Sequence, residues 1–282
     1  CMGRDLYEAE AVFRDVIDRC DAGFREAAGC SLIQLMYPSE PPAHNDLMES
    51  HPCGQAANFA VECALADLWR AWGVQPDFVL GHSLGDFAAA YTAGVIGLED
   101  GLRLVTERGR LMETALGAML SVLGSEAEVT PHMADLSAVT VGVINGPASV
   151  VLSGSHAGVA QAEERLQAAG FKTRKLDIPV AAHSPMLDPV LDAFAAAVGR
   201  VELSAPKVPV VSSMTGKRVS DELTDPAYWR RQLRRTVRFA DGVQTLAAEG
   251  CQLFVEIGPR STLLGLVGQL LEEKTGGQEE GK

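Results

Sequence analysis

The sequence predicts an α/β fold in two parts, a large subdomain built around a mostly parallel sheet and a small subdomain inserted into it. Up to about residue 116, short apolar strands alternate with amphipathic helices, a pattern typical of a parallel sheet. Over residues 117–178 the order becomes βαββαβ, which is typical of a ferredoxin-like unit. From residue 179 the chain returns to the alternation of short apolar strands and amphipathic helices. We therefore assign residues 1–116 and 179–271 to the large subdomain.

The first half of the large subdomain is predicted from helical spacing and stop signals. Apolar residues recur on one helical face over residues 12–20 and again over 55–72, where Gly73 ends the helix. A short apolar strand then precedes Ser83, and a further helix is predicted over 99–114. This alternation is what favours the parallel sheet.

The remaining elements follow from apolar runs separated by turn residues. In the small subdomain we expect strands over 119–123, 139–144, 149–153 and 172–176, with helices over 127–136 and 159–169. After it we expect a helix through residue 197, strands over 208–211 and 253–257, and a polar disordered tail over 272–282. A cleft between the two subdomains is the expected place for an active site.

Composition excludes several classes of function. The chain has 282 residues, 47% of them hydrophobic, and a net charge of −13, which argues against nucleic acid and anionic membranes as partners. No apolar run is long enough to span a bilayer and no signal peptide is recognisable, so we expect a cytoplasmic protein. The six cysteines form no CxxC pair, so we expect reduced packing residues and no metal site.

A nucleophile elbow is predicted by the stretch FVLGHSLGDF, residues 78–87. Gly81 and Gly85 allow a sharp turn from strand to helix, which leaves the hydroxyl of Ser83 exposed above the helix N-terminus. The backbone N–H of Leu84 then points to where an oxyanion would form. The alternative at this point is an ordinary glycine-rich turn.

A nucleophilic serine needs a base, and His183 is the candidate among six histidines. It opens a His-Ser-Pro turn where the chain re-enters the large subdomain, facing the predicted cleft. Two functions remain open on this evidence. A serine hydrolase or thioesterase could use Asp177 to orient His183, whereas a serine acyltransferase would also need a group that recognises its acyl donor.

Six segments resemble, in order and spacing, the motifs of malonyl-CoA and methylmalonyl-CoA acyl carrier protein transacylases, including the acyltransferase domains of modular polyketide synthases. They are MGRDLYEAEAVFRDVID, AVECALADLWRAWGVQPDFVLGHSLGDF with the helices after it, NGPASVVLSG, VAAHSP, DPAYWRRQL and VEIGPRSTL. The resemblance implies an α/β-hydrolase-like large subdomain with a ferredoxin-like insert. It also implies transfer of an α-carboxyacyl group from coenzyme A to serine and then to a carrier protein's phosphopantetheine thiol, with no permanently bound cofactor.

The resemblance also implies roles for individual residues. Ser83 matches the acylated nucleophile and His183 its base, while Gln232 matches the position whose backbone carbonyl orients the base. Arg108 matches the arginine that binds the donor's free carboxylate, which a planar guanidinium can do with two hydrogen bonds. The substrate pocket is expected to include His82, Gln55 and Ala182.

The resemblance leaves the donor and the partner as expectations. Members normally begin with a strand and a Gly-Gln-Gly-x-Gln stretch upstream of the point that matches Cys1, so we expect residues before it. Leu84 beside the nucleophile favours malonyl over methylmalonyl. The expected partner is an acidic carrier protein, docked near Arg230, Arg231, Arg234, Arg235 and Arg238, with other polyketide synthase domains as possible neighbours.

Overall fold

The computed structural model describes residues 2–38 and 51–276, and its first half is largely helical. The helix over Ala11–Ala28 buries Phe13, Ile17 and Phe24, as its helical spacing predicts. The elements up to residue 112 are α1 (Arg4–Ala9), α2 (Ala11–Ala28), α3 (Leu32–Met36), α4 (His51–Ala71), β1 (Val79–Leu80), α5 (Gly85–Thr92) and α6 (Leu98–Met112).

The predicted βαββαβ unit is present as a four-stranded antiparallel sheet. Its elements are β2 (Ala118–Leu123), α7 (Glu126–Val129), β3 (Val139–Gly146), β4 (Ser149–Gly154), α8 (His156–Ala168) and β5 (Lys172–Leu176). The strand order β3-β4-β2-β5 confirms a ferredoxin-like arrangement. The first helix is shorter than predicted, because a 3₁₀ turn over Thr130–Met133 replaces its second half.

The large subdomain has a smaller sheet than the sequence predicts. After residue 176 the chain forms α9 (Leu191–Val198), β6 (Val210–Val211), β7 (Arg218–Val219), α10 (Pro226–Arg234), α11 (Phe239–Ala248) and α12 (Leu263–Gly276). Strand β1 pairs in parallel with β6, and β6 pairs antiparallel with β7. This sheet therefore contains a single parallel pair among the described residues.

One prediction at the C-terminal end is wrong. No strand forms over 253–257, where Leu253 is 82% exposed. A strand needs a neighbour for its backbone hydrogen bonds, and within the described ranges no strand pairs with this segment. Helix α12 extends to Gly276. Residues 277–282 lie outside the described part, so the disordered tail over 272–282 stays a prediction.

Two hydrophobic clusters form the interior. The first joins α2, α4, α5 and α6 to α9 and α10, with Phe59, Phe87 and Trp229 among its fully buried members. The second joins the four-stranded sheet to α11 and α12, through residues such as Phe239 and Val267. The last two helices thus share a core with the inserted sheet. Within the described residues, no helix is both long and apolar enough to span a membrane.

Candidate active site

Ser83 lies in the sharp turn between β1 and α5, as the elbow pattern predicts. Its φ is 55°, a left-handed conformation that a non-glycine residue adopts only when its surroundings hold it. Gly81 has no room for a side chain, because a Cβ there would stand 2.3 Å from the backbone nitrogen of Asp86. Among the described residues no hydrogen bond uses the N–H of Leu84, so this donor remains available beside Ser83.

His183 stands against Ser83 with both ring nitrogens engaged. It is 2% exposed, and its Nε2 accepts from Ser83 Oγ at 2.6 Å. On the other side, Nδ1–H donates to the backbone carbonyl of Arg235 at 2.9 Å. Since that carbonyl can only accept, it fixes the tautomer that leaves Nε2 free to take a proton. A φ of 56° at His183 shows that this backbone is also held in place.

The residue that orients His183 differs from the one predicted. The sequence predicts the carbonyl of Gln232 in this role. In the structure the carbonyl that accepts from His183 Nδ1–H is that of Arg235, three residues later. The Gln232 carbonyl contributes only a smaller effect on the pKa of His183. Asp177, the acid that a hydrolase triad would need, is not the partner of Nδ1 either. Helix α10 ends at Arg234, so the next carbonyl is free of helical bonding and can face the imidazole.

Gln232 acts through its side chain instead. Its Nε2 donates to the backbone carbonyl of Ser83 at 2.9 Å and to Oδ2 of Asp86 at 2.8 Å. Ser213 donates to the same carboxylate oxygen at 2.5 Å. These buried contacts connect α10 to the turn that carries the nucleophile. Because the serine backbone is strained, they help to hold it in the reactive conformation.

Arg108 brings a buried positive charge to the nucleophile. It is 2% exposed, its Nη2 donates to Ser83 Oγ at 3.0 Å, and its Nη1 donates to Oε1 of Gln55 at 2.6 Å. Its Nε has no partner among the described residues. Burial lowers the pKa of Arg108 to about 10, so it stays charged at neutral pH. A buried guanidinium with a free donor next to a serine is a site for an anionic group.

The close approach of α4 and α6 creates the pair of Arg108 and Gln55. At Gly109 a Cβ would lie 2.6 Å from Cα of Pro52, so only glycine lets the two backbones come together there. Gln55 is buried in the first turns of α4 and also contacts Met112 through Nε2, at 3.5 Å from the sulfur.

The other predicted pocket residues also surround the serine turn. Nε2–H of His82 donates to Oδ1 of Asn145, on β3, at 3.0 Å, and its ring centroid lies 5.3 Å from that of Phe239. Burial lowers the pKa of His82, which favours its neutral ring. Ala182, directly before His183, is half-buried and packs against both hydrophobic clusters.

His183 is neutral at physiological pH in this environment. Burial, the charge of Arg108 and the proximity of His82 together lower the pKa of His183 from 6.5 to about 3. A bound anion at Arg108 would remove part of this effect and make the imidazole a stronger base. Base strength is therefore coupled to occupation of the anion site.

Sequence reasoning missed three contacts of the site. They are the carbonyl of Arg235 that accepts from His183, the amide of Asn145 that accepts from His82, and the side-chain hydrogen bonds of Gln232. A backbone carbonyl has no signature in a sequence, and Asn145 reads as an ordinary residue of an Asn-Gly-Pro turn. Within residues 2–38 and 51–276, no three His, Cys, Asp or Glu residues come together as metal ligands.

Comparison with known proteins identifies the family. The family model described as acyl transferase domain matches residues 1–281. The chain is 42% identical over 274 residues to mycoketide-CoA synthase of Mycobacterium tuberculosis, an alignment that covers 96% of the chain and 6% of that protein. The chain therefore spans a small part of the curated relatives it matches.

Solved structures agree with the family model. The acyltransferase domain from the second module of the salinomycin polyketide synthase matches with a TM-score of 0.89 and 44% identity, over 96% of this chain and 63% of that one. The malonyl CoA-acyl carrier protein transacylase from Coxiella burnetii matches with a TM-score of 0.83 and 25% identity, over 91% of this chain and 83% of that one. The chain therefore belongs to the acyl transferase domain family and is an acyltransferase of the polyketide synthase type.

Proposed function

We propose that this acyltransferase moves a malonyl group from coenzyme A to Ser83 and then to the phosphopantetheine thiol of an acyl carrier protein. The observation that carries the proposal is the buried guanidinium of Arg108, which touches the serine hydroxyl and keeps Nε unpaired among the described residues. Neutral acyl donors gain nothing from such a group, whereas a free carboxylate can accept two hydrogen bonds from it.

The first half-reaction follows from these contacts. The donor's carboxylate binds Arg108, whose hydrogen bond to Ser83 Oγ is then replaced. His183 Nε2 removes the proton from Ser83 Oγ as the oxygen attacks the thioester carbonyl. The N–H of Leu84 stabilises the resulting oxyanion. The intermediate collapses, the C–S bond breaks, and the imidazolium returns the proton to the thiolate of coenzyme A.

The second half-reaction is the reverse with a new thiol. His183 removes the proton from the carrier's phosphopantetheine thiol, the sulfur attacks the malonyl-serine ester, and the C–O bond breaks. The proton then returns to Ser83 Oγ. No redox change and no metal are needed in either step.

A comparison of acyl donors tests the role of Arg108. We expect malonyl-CoA to acylate the protein faster than methylmalonyl-CoA, and acetyl-CoA to be the slowest, in single-turnover experiments followed by intact mass. Arg108→Met should reduce the preference for malonyl over acetyl by about a hundredfold, because a buried charge pair is lost. Arg110→Met is the matched control, since Arg110 lies on the same helix but is exposed and paired with Glu107.

Two results would contradict this assignment. If Arg108→Met kept the wild-type preference for malonyl over acetyl, another group must bind the carboxylate. If methylmalonyl-CoA were clearly the faster donor in the wild type, the malonyl part of the proposal would be wrong while the transferase class would stand.

We also propose that Arg231 and Arg235 form the docking point for the carrier protein. The other arginines of this region bind carboxylates within the chain, as Arg230 does with Asp192 and Arg234 with Asp188. Arg231 and Arg235 are exposed, and no ion pair holds either within the described residues. The carbonyl of Arg235 contacts the base, so an anionic surface bound here would lie next to the site.

Charge reversal at these two arginines separates carrier docking from the acyl-transfer reaction. Arg231→Glu with Arg235→Glu should lower kcat/KM for an acidic carrier protein by about tenfold at low salt and weaken its salt dependence. Acylation by malonyl-CoA and transfer to free pantetheine should change little. Arg200→Glu, an exposed arginine near the other end of α10, is the control. Equal losses with carrier and pantetheine would contradict docking at these residues.

We place this reaction in the cytoplasm, where coenzyme A thioesters and carrier proteins are used. All five cysteines in the described part of the chain are unpaired, as in proteins of reducing compartments. The relatives that are polyketide synthases favour further synthase domains as neighbours.

A further inference from the structure

Residues 235–238, which we call the strap, connect α10 to α11 and lie along β3 of the small subdomain. The N–H of Val237 donates to the carbonyl of Gly142 at 2.9 Å, and the N–H of Ile144 donates to the carbonyl of Val237 at 2.7 Å. Val143 and Val237 form a parallel bridge. The strap thus adds one short pairing to the free edge of the four-stranded sheet.

A β-bulge in β3 makes this pairing possible. The register between β3 and β4 shifts between Val141 and Val143, which leaves Gly142 outside the regular ladder. A bulge releases backbone groups from the partner strand and re-aims them. The carbonyl of Gly142 is therefore available to the strap.

The strap begins at the residue that orients the base. The carbonyl of Arg235 accepts from Nδ1 of His183. The next residue is fixed by its side chain, because Oγ1 of Thr236 donates to the carbonyl of Val141 at 2.7 Å. The position of the Arg235 carbonyl is therefore set by two anchors, the end of α10 on one side and the bulged strand on the other.

The same strand also holds the second histidine of the site. Asn145 lies three residues beyond the bulge on β3 and accepts from Nε2 of His82. At the far end of the strap, the N–H of Arg238 donates to the carbonyl of Ser213. The strap and β3 therefore join the inserted sheet to both histidines that flank Ser83.

We propose that β3 of the small subdomain positions both histidines, through Asn145 for His82 and through the strap for His183, with Thr236 as the positioning residue for the base. The inference rests on the proposed roles of Ser83 and His183, not on the identity of the acyl donor. Thr236 touches no reacting atom, and its effect on the reaction passes through the carbonyl of Arg235.

Removal of the Thr236 hydroxyl tests whether Thr236 positions His183. Thr236→Val keeps the shape of the side chain and removes its hydrogen bond to Val141. We expect kcat for acylation of Ser83 to fall about tenfold, because small displacements of a base cost rate, while KM for malonyl-CoA stays within about twofold. Thr236→Ser retains the hydroxyl and should restore kcat to within about twofold of the wild type.

Thr245→Val is the matched control. Thr245 also donates from Oγ1 to a distant backbone carbonyl, that of Gly216, but lies on α11 without contact to either histidine. It should lower thermal stability as much as Thr236→Val does, without the fall in kcat. An unchanged kcat in Thr236→Val, an equal fall in Thr245→Val, or no recovery in Thr236→Ser would overturn the proposal.

Two further readouts separate this inference from the proposed function. The rate at which diisopropyl fluorophosphate phosphorylates Ser83, with release of fluoride, reports the alignment of Ser83 and His183 without any acyl-CoA, and it should fall by the same factor in Thr236→Val. The proton resonance of His183 Nδ1–H should shift or broaden in that variant and not in Thr245→Val. A wild type that reacts with diisopropyl fluorophosphate but not with malonyl-CoA would contradict the proposed function alone. An unchanged resonance and rate in Thr236→Val would contradict the positioning role.

Discussion

Asp86 is the buried carboxylate beneath the serine turn, and its surroundings raise its pKa from 3.8 to about 6. Burial causes the rise, and hydrogen bonds from Ser213 and Gln232 and the charge of Arg108 oppose it. Asp86 also lies in the first turn of α5, where the helix dipole favours a negative charge. With these opposing effects, the group is half-protonated near pH 6 in the folded protein.

This shift predicts a pH-dependent contribution to stability. Since the pKa of Asp86 is higher in the folded state than in the unfolded chain, folding takes up a proton between pH 3.8 and about 6. The stabilisation by this proton is fully present below pH 4 and is lost as pH rises through 6, by about 3 kcal/mol in total.

Asp86→Asn should remove that dependence. We expect the free energy of unfolding of the wild type, minus that of the variant, to increase by up to about 3 kcal/mol as the pH falls from 7.5 to 4. Urea unfolding at several pH values measures the difference, and titration of other groups cancels in it. A difference that does not vary with pH, or that decreases toward acid, would show that Asp86 has no raised pKa.

Individual residues of the site were predictable where a side chain has one chemical use. A serine between glycines and a histidine in a turn are visible in the sequence, and the structure brings Ser83, His183, Arg108 and Gln55 into contact. The sequence predicts the carbonyl of Gln232 as the acceptor for His183, but the structure has that of Arg235. The two could not be told apart in the sequence because every residue carries a carbonyl. Only the point where α10 stops decides which carbonyl faces the ring.

At the scale of elements, local patterns gave correct predictions, and the βαββαβ order correctly predicted the non-local pairing of the small sheet. A single apolar run outside such a unit did not. The elbow depends on residues within one turn of each other, and the amphipathic helix α2 depends on its own spacing. The strand expected over 253–257 depends on a partner strand, and within the described ranges none pairs with it. An apolar run can indicate a strand but cannot supply its neighbour.

The bulge in β3 is a second feature that sequence patterns did not predict. Residues 139–144 alternate well enough to predict a strand, but the register shift at Gly142 arises in the pairing of β3 with β4. The carbonyl of Gly142 at this shift accepts from the N–H of Val237 in the strap. Elements that look regular in a sequence can thus carry the contact that matters for the site.

At the scale of the whole molecule, the site lies where the two hydrophobic clusters meet. Ala182 packs against both clusters, and α11 and α12 join the inserted sheet although they follow the large subdomain in sequence. The chain is acidic overall, with a net charge of −13. Arg231 and Arg235, which form no ion pair within the described residues, therefore make the end of α10 locally positive. These arginines are the docking point that we propose for an acidic carrier.

The central claim is that Ser83 carries a malonyl group between two thiols. The most direct measurement is intact mass and peptide mapping after brief exposure of the protein to malonyl-CoA, followed by addition of a carrier protein. We predict one malonyl group on the peptide that contains Ser83, no adduct on Ser83→Ala, and loss of the adduct to the carrier thiol. Free malonate without transfer to the carrier, or an adduct that persists in Ser83→Ala, would contradict the account.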